Sequence, residues 1–341
     1  KKLHDMTHEF KTIVENYLLA KKQGLKAVLA TVVHLEGSSY RKPGVRMLIL
    51  ENGKMIGAVS GGCVEKDILR QSDSVFKSGI SKMMTYDGRY RLGCEGILYI
   101  LIEPFLPDSK FLSHFQEVLK NRNSFLIKSY FTKQIGESDG IGSMVYFDKE
   151  CYPVSKNLEE NNSVSVFKET LKPCFKLMIF GAEHDAVQLC KLAHYNGWEV
   201  TVISGPLESK TIYDFPGATG FYSVSPDDLE LQSIDNQTAI VLMSHNFSND
   251  LKYLLELKNV KPAYLGMLGP SKRREKLLSQ FLEYCPDAEE HFIESIYGPA
   301  GLNIGAETPQ EIAVSIISEI LSVVRNQVPM SLKEKSGRIH V

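Results

Sequence analysis

No two of the six cysteines in this 341-residue chain form a Cys-x-x-Cys pair. That excludes a zinc ribbon or a thioredoxin-type redox motif of the usual spacing. Cys63, Cys94, Cys151, Cys174, Cys190 and Cys285 are scattered along the chain, unlike the framework of a small secreted disulfide scaffold. No apolar stretch approaches the roughly 18 residues that a membrane helix needs. The first residues carry His, Asp and Glu instead of a signal-peptide core, so a reducing cytoplasm is the expected compartment. An excess of charge is missing too. A formal net charge of −2 gives no global pull toward nucleic acid or anionic lipid, and any anion site must be local. Repeats and low-complexity tracts are absent. With 43% apolar and 23% charged residues, the chain can bury a sizeable core, and its length suits about two domains.

The first half reads as α+β. "FKTIVENYLLAKKQG" sets Phe10, Ile13, Val14, Tyr17 and Leu18 on one helical face and stops at Gly24. "KAVLATVVHL" is β-rich, and "VRMLILENGKMIGAVS" reads as two strands joined at Asn52-Gly53, a strong hairpin signal. A helix to about Phe76 follows, then strands "MMTYD" and "ILYILIEP", a helix over 109–121, and strands "SFLIKSYFT" and "SMVYF". From Glu150 the pattern weakens, and the polar, aperiodic "SKNLEENNSVS" predicts a linker. The expected division is therefore an N-terminal α+β domain over 1–150, a linker over 151–173, a parallel-sheet domain over 174–328 and a tail over 329–341.

The second half changes rhythm. "FKLMIFGAEHDAVQLCKLAHYNGWEVTVIS" is strand, Gly turn, helix, Gly, strand, the opening of a doubly wound, Rossmann-type fold. "TAIVLMSH" and "AYLGMLG" predict later parallel strands. "ETPQEIAVSIISEILSVVR" predicts a helix with Thr308 as cap, Pro309 in the first turn and Glu311 closing a capping box. The dinucleotide fingerprint G-x-G-x-x-G/A, however, is incomplete. Gly181 and Ala186 hold its outer positions, but Glu183 stands where the backbone should meet a pyrophosphate. Ser204 stands where a ribose-binding acid should end the second strand. NAD(P) binding is thus disfavoured while the fold assignment survives.

"SGGCVEKD", Ser60 to Asp67, lies between an apolar run and a helical pattern that starts near Gly62 or Cys63. A thiol at a helix start meets free N–H groups and the positive end of the dipole, which favour thiolate. One reading is therefore an approachable, acidified thiol. The other is a buried small residue at a strand-to-helix turn, since free cysteine is among the most buried residue types.

Taken together, "EGSSYRKPGVRMLI", "GAVSGGCVEKDIL" and "YRLGCEGILYILIEP" resemble the N-terminal domain of the XdhC/CoxI family. "IFGAEHDAVQLCKLAHYNGWEVTVIS", "YLGMLGPSKRREKLL" and "YGPAGLNIGAETPQEIAVSIISEIL" resemble its Rossmann-type domain. The resemblance covers roughly residues 25–105 and 175–325. It implies an accessory protein that binds molybdenum cofactor (molybdopterin), assists its sulfuration and inserts it into an apo molybdenum hydroxylase of the xanthine dehydrogenase type. A cofactor-binding chaperone is favoured over a catalyst. An NAD(P)-dependent oxidoreductase and a thiol sulfurtransferase using Cys63 are the alternatives. The chain shows neither an iron–sulfur cysteine pattern nor a flavin fingerprint, which argues against its being the hydroxylase. A cysteine desulfurase is an expected further partner and a homodimer the expected assembly.

The residues that carry over from the family are Ser60, Gly61, Gly62, Cys63, Glu65 and Cys94. Cys63 and Glu65 are the expected chemical pair, with Cys63 also a soft ligand for molybdenum. Where the family has Cys-Gly-Gly, this chain has Cys94-Glu95-Gly96, and Glu183 replaces a family glycine. "GSSYRKPGVR" offers Ser38, Arg41 and Arg46 for an anion, or else is a solvated basic loop. Gly181 and His245 end strands where open α/β sheets gather ligands, although a lone histidine there also serves as a cap. In "LGPSKRREKLL", Ser271 is the expected N-cap, and Arg273 and Arg274 put cations at the wrong end of a helix dipole. Compensation by the cofactor's phosphate, facing Cys63 across a domain cleft, is one reading; full solvation is the other.

Overall fold

The structure, a computed structural model, describes residues 7–37, 42–60, 62–88, 96–156 and 158–336, with the backbone alone at Cys63. The chain divides into two compact units, residues 1–174 and 175–341.

The first unit runs α1 (Thr7–Lys22), β1 (Ala27–Gly37), β2 (Arg46–Leu50), β3 (Met55–Gly57), α2 (Cys63–Ser78), β4 (Lys82–Asp87), β5 (Gly96–Pro104), α3 (Ser109–Lys120), β6 (Phe125–Phe131), β7 (Gly136–Glu137), β8 (Gly142–Phe147), β9 (Glu150–Pro153) and β10 (Ser165–Leu171). Its strands form a six-stranded sheet of order β3-β2-β1-β5-β4-β7 and a four-stranded sheet of order β10-β6-β8-β9. The Asn52-Gly53 hairpin closes as its sequence predicts: Ile49 pairs with Met55, and the Asn52 side chain accepts from the Lys54 N–H at 3.1 Å. Alternation along β1 and β2 sorts the first sheet's side chains. Val28, Ala30, Met47 and Ile49 pack with Val64, Ile68 and Val75 of α2. Leu29, Leu48 and Leu50 pack instead with α1, α3 and the inner residues of the second sheet, among them Phe125, Ile127 and Val145.

The expected linker over 151–173 is not one. Within it, β9 pairs antiparallel with β8, and β10 pairs with β6 over seven residues, from Ser165↔Phe131 to Leu171↔Phe125. Only one residue of β10 is fully buried, so it carries the weak alternation of an edge strand.

The second unit runs β11 (Lys176–Phe180), α4 (His184–Tyr195), β12 (Glu199–Ser204), β13 (Gly220–Ser223), β14 (Thr238–Leu242), α5 (Phe247–Glu256), β15 (Tyr264–Met267), α6 (Ser271–Tyr284), α7 (Glu290–Glu294), β16 (Ile296–Tyr297) and α8 (Pro309–Val324). Its sheet is parallel throughout, with order β13-β12-β11-β14-β15-β16. Numbered from β11, that is the 3-2-1-4-5-6 order of dinucleotide-binding folds. Leu177, Ile179, Val200 and Val202 face α4 and α8, while Met178, Phe180, Ile240 and Leu242 face α5 and α6. Helix α8 starts as predicted. The Thr308 hydroxyl accepts from the Glu311 N–H at 3.3 Å, and the Glu311 carboxylate accepts from the Thr308 N–H at 2.9 Å.

Candidate functional site

The turn into α2 is built around one carboxylate. Gly62 is the N-cap, with φ 98°, a conformation that favours glycine. Glu65, three residues later, reaches back over it. Its Oε1 accepts from the Ser60 N–H at 2.5 Å and its Oε2 from the Gly62 N–H at 2.6 Å. The Gly62 N–H, a donor that the helix start leaves orphaned, is thereby satisfied, and the Ser60 N–H before the cap is held by the same carboxylate. Glu65 is buried, with both oxygens engaged. Its geometry is that of a positioning residue for the Ser60–Gly62 turn and not of an acid facing a ligand. Among the described residues, nothing lies within 4 Å of a Cβ built at Gly62. Cys63 takes the first helical position. Ser38, Arg41, Gly61, Cys94 and the Cys63 thiol lie outside the described atoms.

Arg46, read as part of an anion-binding loop, is corrected by the structure. It opens β2 and is buried at 3% exposure. Its Nη1 donates to Glu169 Oε2 at 2.7 Å and to the Gly44 carbonyl at 2.9 Å. The partner that draws it inward sits on β10, in the segment read as a linker.

In the second unit the strand order reverses between β11 and β14, and ligands of such sheets bind where it does. The two loops there are in close contact. A Cβ at Gly181, whose φ is 142°, would come within 2.3 Å of the Met243 carbonyl oxygen, so only glycine fits. His245 lies in the loop beyond β14 and is left-handed at φ 56°, unusual for a non-glycine residue. Its Nε2 is 2.9 Å from Asp185 Oδ2, in the first turn of α4. Asp250, buried on α5, accepts from the Ser244 N–H at 3.2 Å, the Ser244 hydroxyl at 2.5 Å and Arg273 Nη2 at 2.7 Å. The His245 loop is therefore fixed from two helices. Glu183 occupies the N-cap of α4 without a capping bond from its side chain, and its Oε2 is 3.8 Å from Lys210 Nζ. Lys210 also donates to the Ala182 carbonyl at 2.5 Å. Ser204, at the end of β12, is buried and shares a 3.2 Å hydrogen bond with Ser223. No acid stands at that position for a ribose.

At α6 the structure departs from expectation. The N-cap is Pro270 and Ser271 is the first helical residue, because Pro270 takes the extended conformation (ψ 158°) that precedes a helix. The basic residues part company. Arg273 turns back over Gly269 to Asp250, Arg274 donates to the Ile296 carbonyl at 3.3 Å, and Lys272 stays exposed. The sequence reading missed Asp185, Ser244, Asp250 and Lys210. Asp185 and Asp250 each lie in the first turn of a helix that follows a parallel strand, which is the available signal.

Chemically, the crevice offers an imidazole oriented by a carboxylate; the other ring nitrogen has no hydrogen-bond partner among the described residues. Among the described residues, no group of three or more His, Cys, Asp or Glu side chains could hold a metal ion. No helix among them is long and apolar enough to cross a membrane.

Comparison with known proteins agrees with this architecture. The family described as XdhC Rossmann domain matches residues 177–320, and the XdhC and CoxI family matches residues 20–87. A protein named as a probable xanthine dehydrogenase subunit, from Bacillus subtilis (strain 168), is 29% identical over 319 residues, covering 87% of this chain and 92% of that protein. The molybdenum cofactor insertion chaperone PaoD from Escherichia coli (strain K12) is 25% identical over 328 residues, covering 94% of this chain and 91% of that protein. A crystal structure described as a xanthine dehydrogenase from Bacillus halodurans aligns with TM-score 0.75 and 25% identity, over 95% of this chain and 98% of that one. The two family matches take in more than half of the residues, and the chain belongs to the XdhC and CoxI family.

Proposed function

We propose that this protein is an accessory factor that binds molybdenum cofactor, assists its sulfuration and hands it to an apo molybdenum hydroxylase of the xanthine dehydrogenase type. The observation that carries this reading is the likeness, along nearly the whole chain, to a protein named a molybdenum cofactor insertion chaperone. The cofactor is cargo here, and the local chemistry suits it. Glu65 holds the Ser60 and Gly62 N–H groups, and no described residue lies against the Gly62 side. Cys63 follows at a helix start, where thiolate is favoured, and thiolate is a suitable soft ligand or sulfur relay for molybdenum. Gly61 and Cys94 belong to the same reading through the family.

In the second unit, Gly181 and His245 line the crevice that would receive a polar part of the cofactor. Ser271 and Arg274 remain candidates for its phosphate, while Arg273 is committed to Asp250. Arg46 leaves the set because it is buried. A cysteine desulfurase as sulfur source, a homodimeric state and a cytoplasmic location belong to the same proposal.

The test is purification after co-expression with the cofactor's biosynthetic genes, followed by fluorescence of the oxidised pterin and molybdenum analysis. Both signals are expected, and absence of both would overturn the carrier reading in favour of a thiol enzyme. Cys63→Ala should fold normally yet fail to deliver sulfurated cofactor. Alkylation mapped by mass spectrometry should label Cys63 before Cys190. Burial leaves Cys190 with no exposed surface and pushes its thiol up to about 11.

A further inference from the structure

The first unit holds a polar cluster between its two sheets, in surroundings that are otherwise apolar. Glu103, on β5, is fully buried. Its Oε2 accepts from the Ser143 N–H at 2.7 Å and its Oε1 from the Ser143 hydroxyl at 2.6 Å, both on β8. The Ser143 hydroxyl in turn lies 2.8 Å from the Ser129 hydroxyl on β6. A second tie joins the same two sheets, from Arg46 on β2 to Glu169 on β10 at 2.7 Å. Arg46, Thr31 and Glu103 share one face of the first sheet: Arg46 pairs directly with Thr31, and Glu103 lies two residues beyond Leu101, Thr31's partner on β5. Among the described residues, Arg46 Nε and Nη2 and the Thr31 hydroxyl are buried without a hydrogen-bond partner.

The charge balance of this cluster depends on one proton. With Glu103 protonated, Arg46 and Glu169 form a neutral pair. With Glu103 ionised, two carboxylates share one guanidinium in a poorly solvated interior. Among the described residues, the groups that act on Glu103 are the cation Arg46 from β2 and the uncharged Ser143 from β8, with Ser129 behind it on β6. Glu169 on β10 is already paired with Arg46.

We propose that Glu103 is an internal proton-binding site that acts as a clasp between the two sheets of the first unit, shut while the carboxyl is protonated and loosened when it ionises. The proposal does not rest on the cofactor reading. Burial pushes the Glu103 carboxyl up to about 7, against the Ser143 hydrogen bonds and the Arg46 charge, which pull it down. The closed form therefore holds its proton more tightly than an opened, hydrated form, whose carboxyl returns to the ordinary value near 4.5. The clasp is at full strength below that ordinary value. It weakens as pH rises through the interval and levels off above about 7.

Hydrogen exchange of the full chain at pH 6 and pH 8, corrected for intrinsic exchange rates, reads the effect strand by strand. The opening constant of β5 and β8 should rise roughly tenfold between the two pH values, while β11 and β14 of the second unit serve as an internal control. In Glu103→Gln the rise should vanish. A flat profile in the unmodified protein, or an equal rise in Glu103→Gln, overturns the proposal. Should the variant fail to fold, infrared spectroscopy on the unmodified protein decides. A protonated-carboxyl C=O band present at pH 6 and lost above pH 8 supports the clasp, and its absence at pH 6 overturns it.

Discussion

His245 Nε2 meets Asp185 Oδ2 at 2.9 Å, and this bond ties the loop after β14 to the first turn of α4. The histidine it engages has left-handed backbone, at φ 56°. His245→Ala removes the bond and keeps the strain; His245→Gly removes both. The alanine variant should be the less stable of the two by about 1 kcal/mol. Urea unfolding followed by the fluorescence of Trp198, buried in this unit, measures the difference. Equal stabilities would mean that the loop relaxes and that the bond, not the rest of the unit, imposes the conformation. Both variants should bind the cofactor less well than the unmodified protein.

Glu65 should matter more for the shape of the Ser60–Gly62 turn than for proton transfer. Its two oxygens accept separate backbone N–H groups, and hydrogen bonds to a charged group contribute about 1.5–3 kcal/mol each when buried. Glu65→Ala should lower stability by at least about 2 kcal/mol and speed proteolysis near residue 60. Glu65→Gln keeps acceptors for one donor only and should fall between. If Glu65→Gln were as stable as the parent yet inactive in cofactor delivery, a chemical role for the carboxylate would replace the positioning role.

Much of the second unit was legible in the sequence because its signals are local. The Gly181 turn, the Thr308–Glu311 capping box and the run of buried β-strand residues each lie within a few residues of one another. So does the hairpin at Asn52-Gly53. The misreadings in the first unit share a cause that is not local. β10 is an edge strand whose polar face is exposed, so "SVFKETL" looks aperiodic until β6 is laid beside it. Without β10 there is no Glu169, and without Glu169 an arginine near a Gly- and Ser-rich loop reads as exposed. The pairing crosses 123 residues of sequence. The same limit hid Asp250, which becomes the partner of Arg273 only when α5 and α6 pack side by side. At α6, local chemistry itself misled: serine is the better cap by preference, but the preceding proline already has the extended conformation that the N-cap requires.

NAD(H) and NADP(H) should bind weakly or not at all. Glu183 stands at the N-cap of α4, where a pyrophosphate would rest, and Ser204 offers no carboxylate to a ribose. Calorimetric titration should detect no low-micromolar site. Glu183→Gly removes bulk and negative charge together and should raise any residual affinity. It also frees Lys210, whose Nζ lies 3.8 Å from the Glu183 carboxylate. A low-micromolar affinity in the unmodified protein would restore the oxidoreductase reading.

Arg273 is a poor probe of a phosphate site at α6, because its loss has a structural effect of its own. Asp250 is buried, and Arg273 is the cation that balances it at 2.7 Å, with the two Ser244 donors completing its shell. Arg273→Ala leaves that carboxylate without a cation and should destabilise the second unit by about 2–3 kcal/mol, less than a wholly buried pair because Arg273 keeps a quarter of its surface. Arg273→Glu should do worse, since it sets a second carboxylate beside the first. In a double-mutant cycle with Asp250→Ala, the combined loss should be smaller than the sum of the single losses by more than about 1 kcal/mol. Additive losses would deny the coupling. Lys272 is the informative residue for ligand binding. It is exposed at the second position of α6, so Lys272→Glu should change stability by less than about 0.5 kcal/mol. If free N–H groups and local positive charge at this turn hold the cofactor's phosphate, Lys272→Glu should still weaken cofactor retention several-fold, more so at low salt. Retention unchanged in Lys272→Glu, at a salt concentration where the unmodified protein is half loaded, would remove the α6 turn from the binding site.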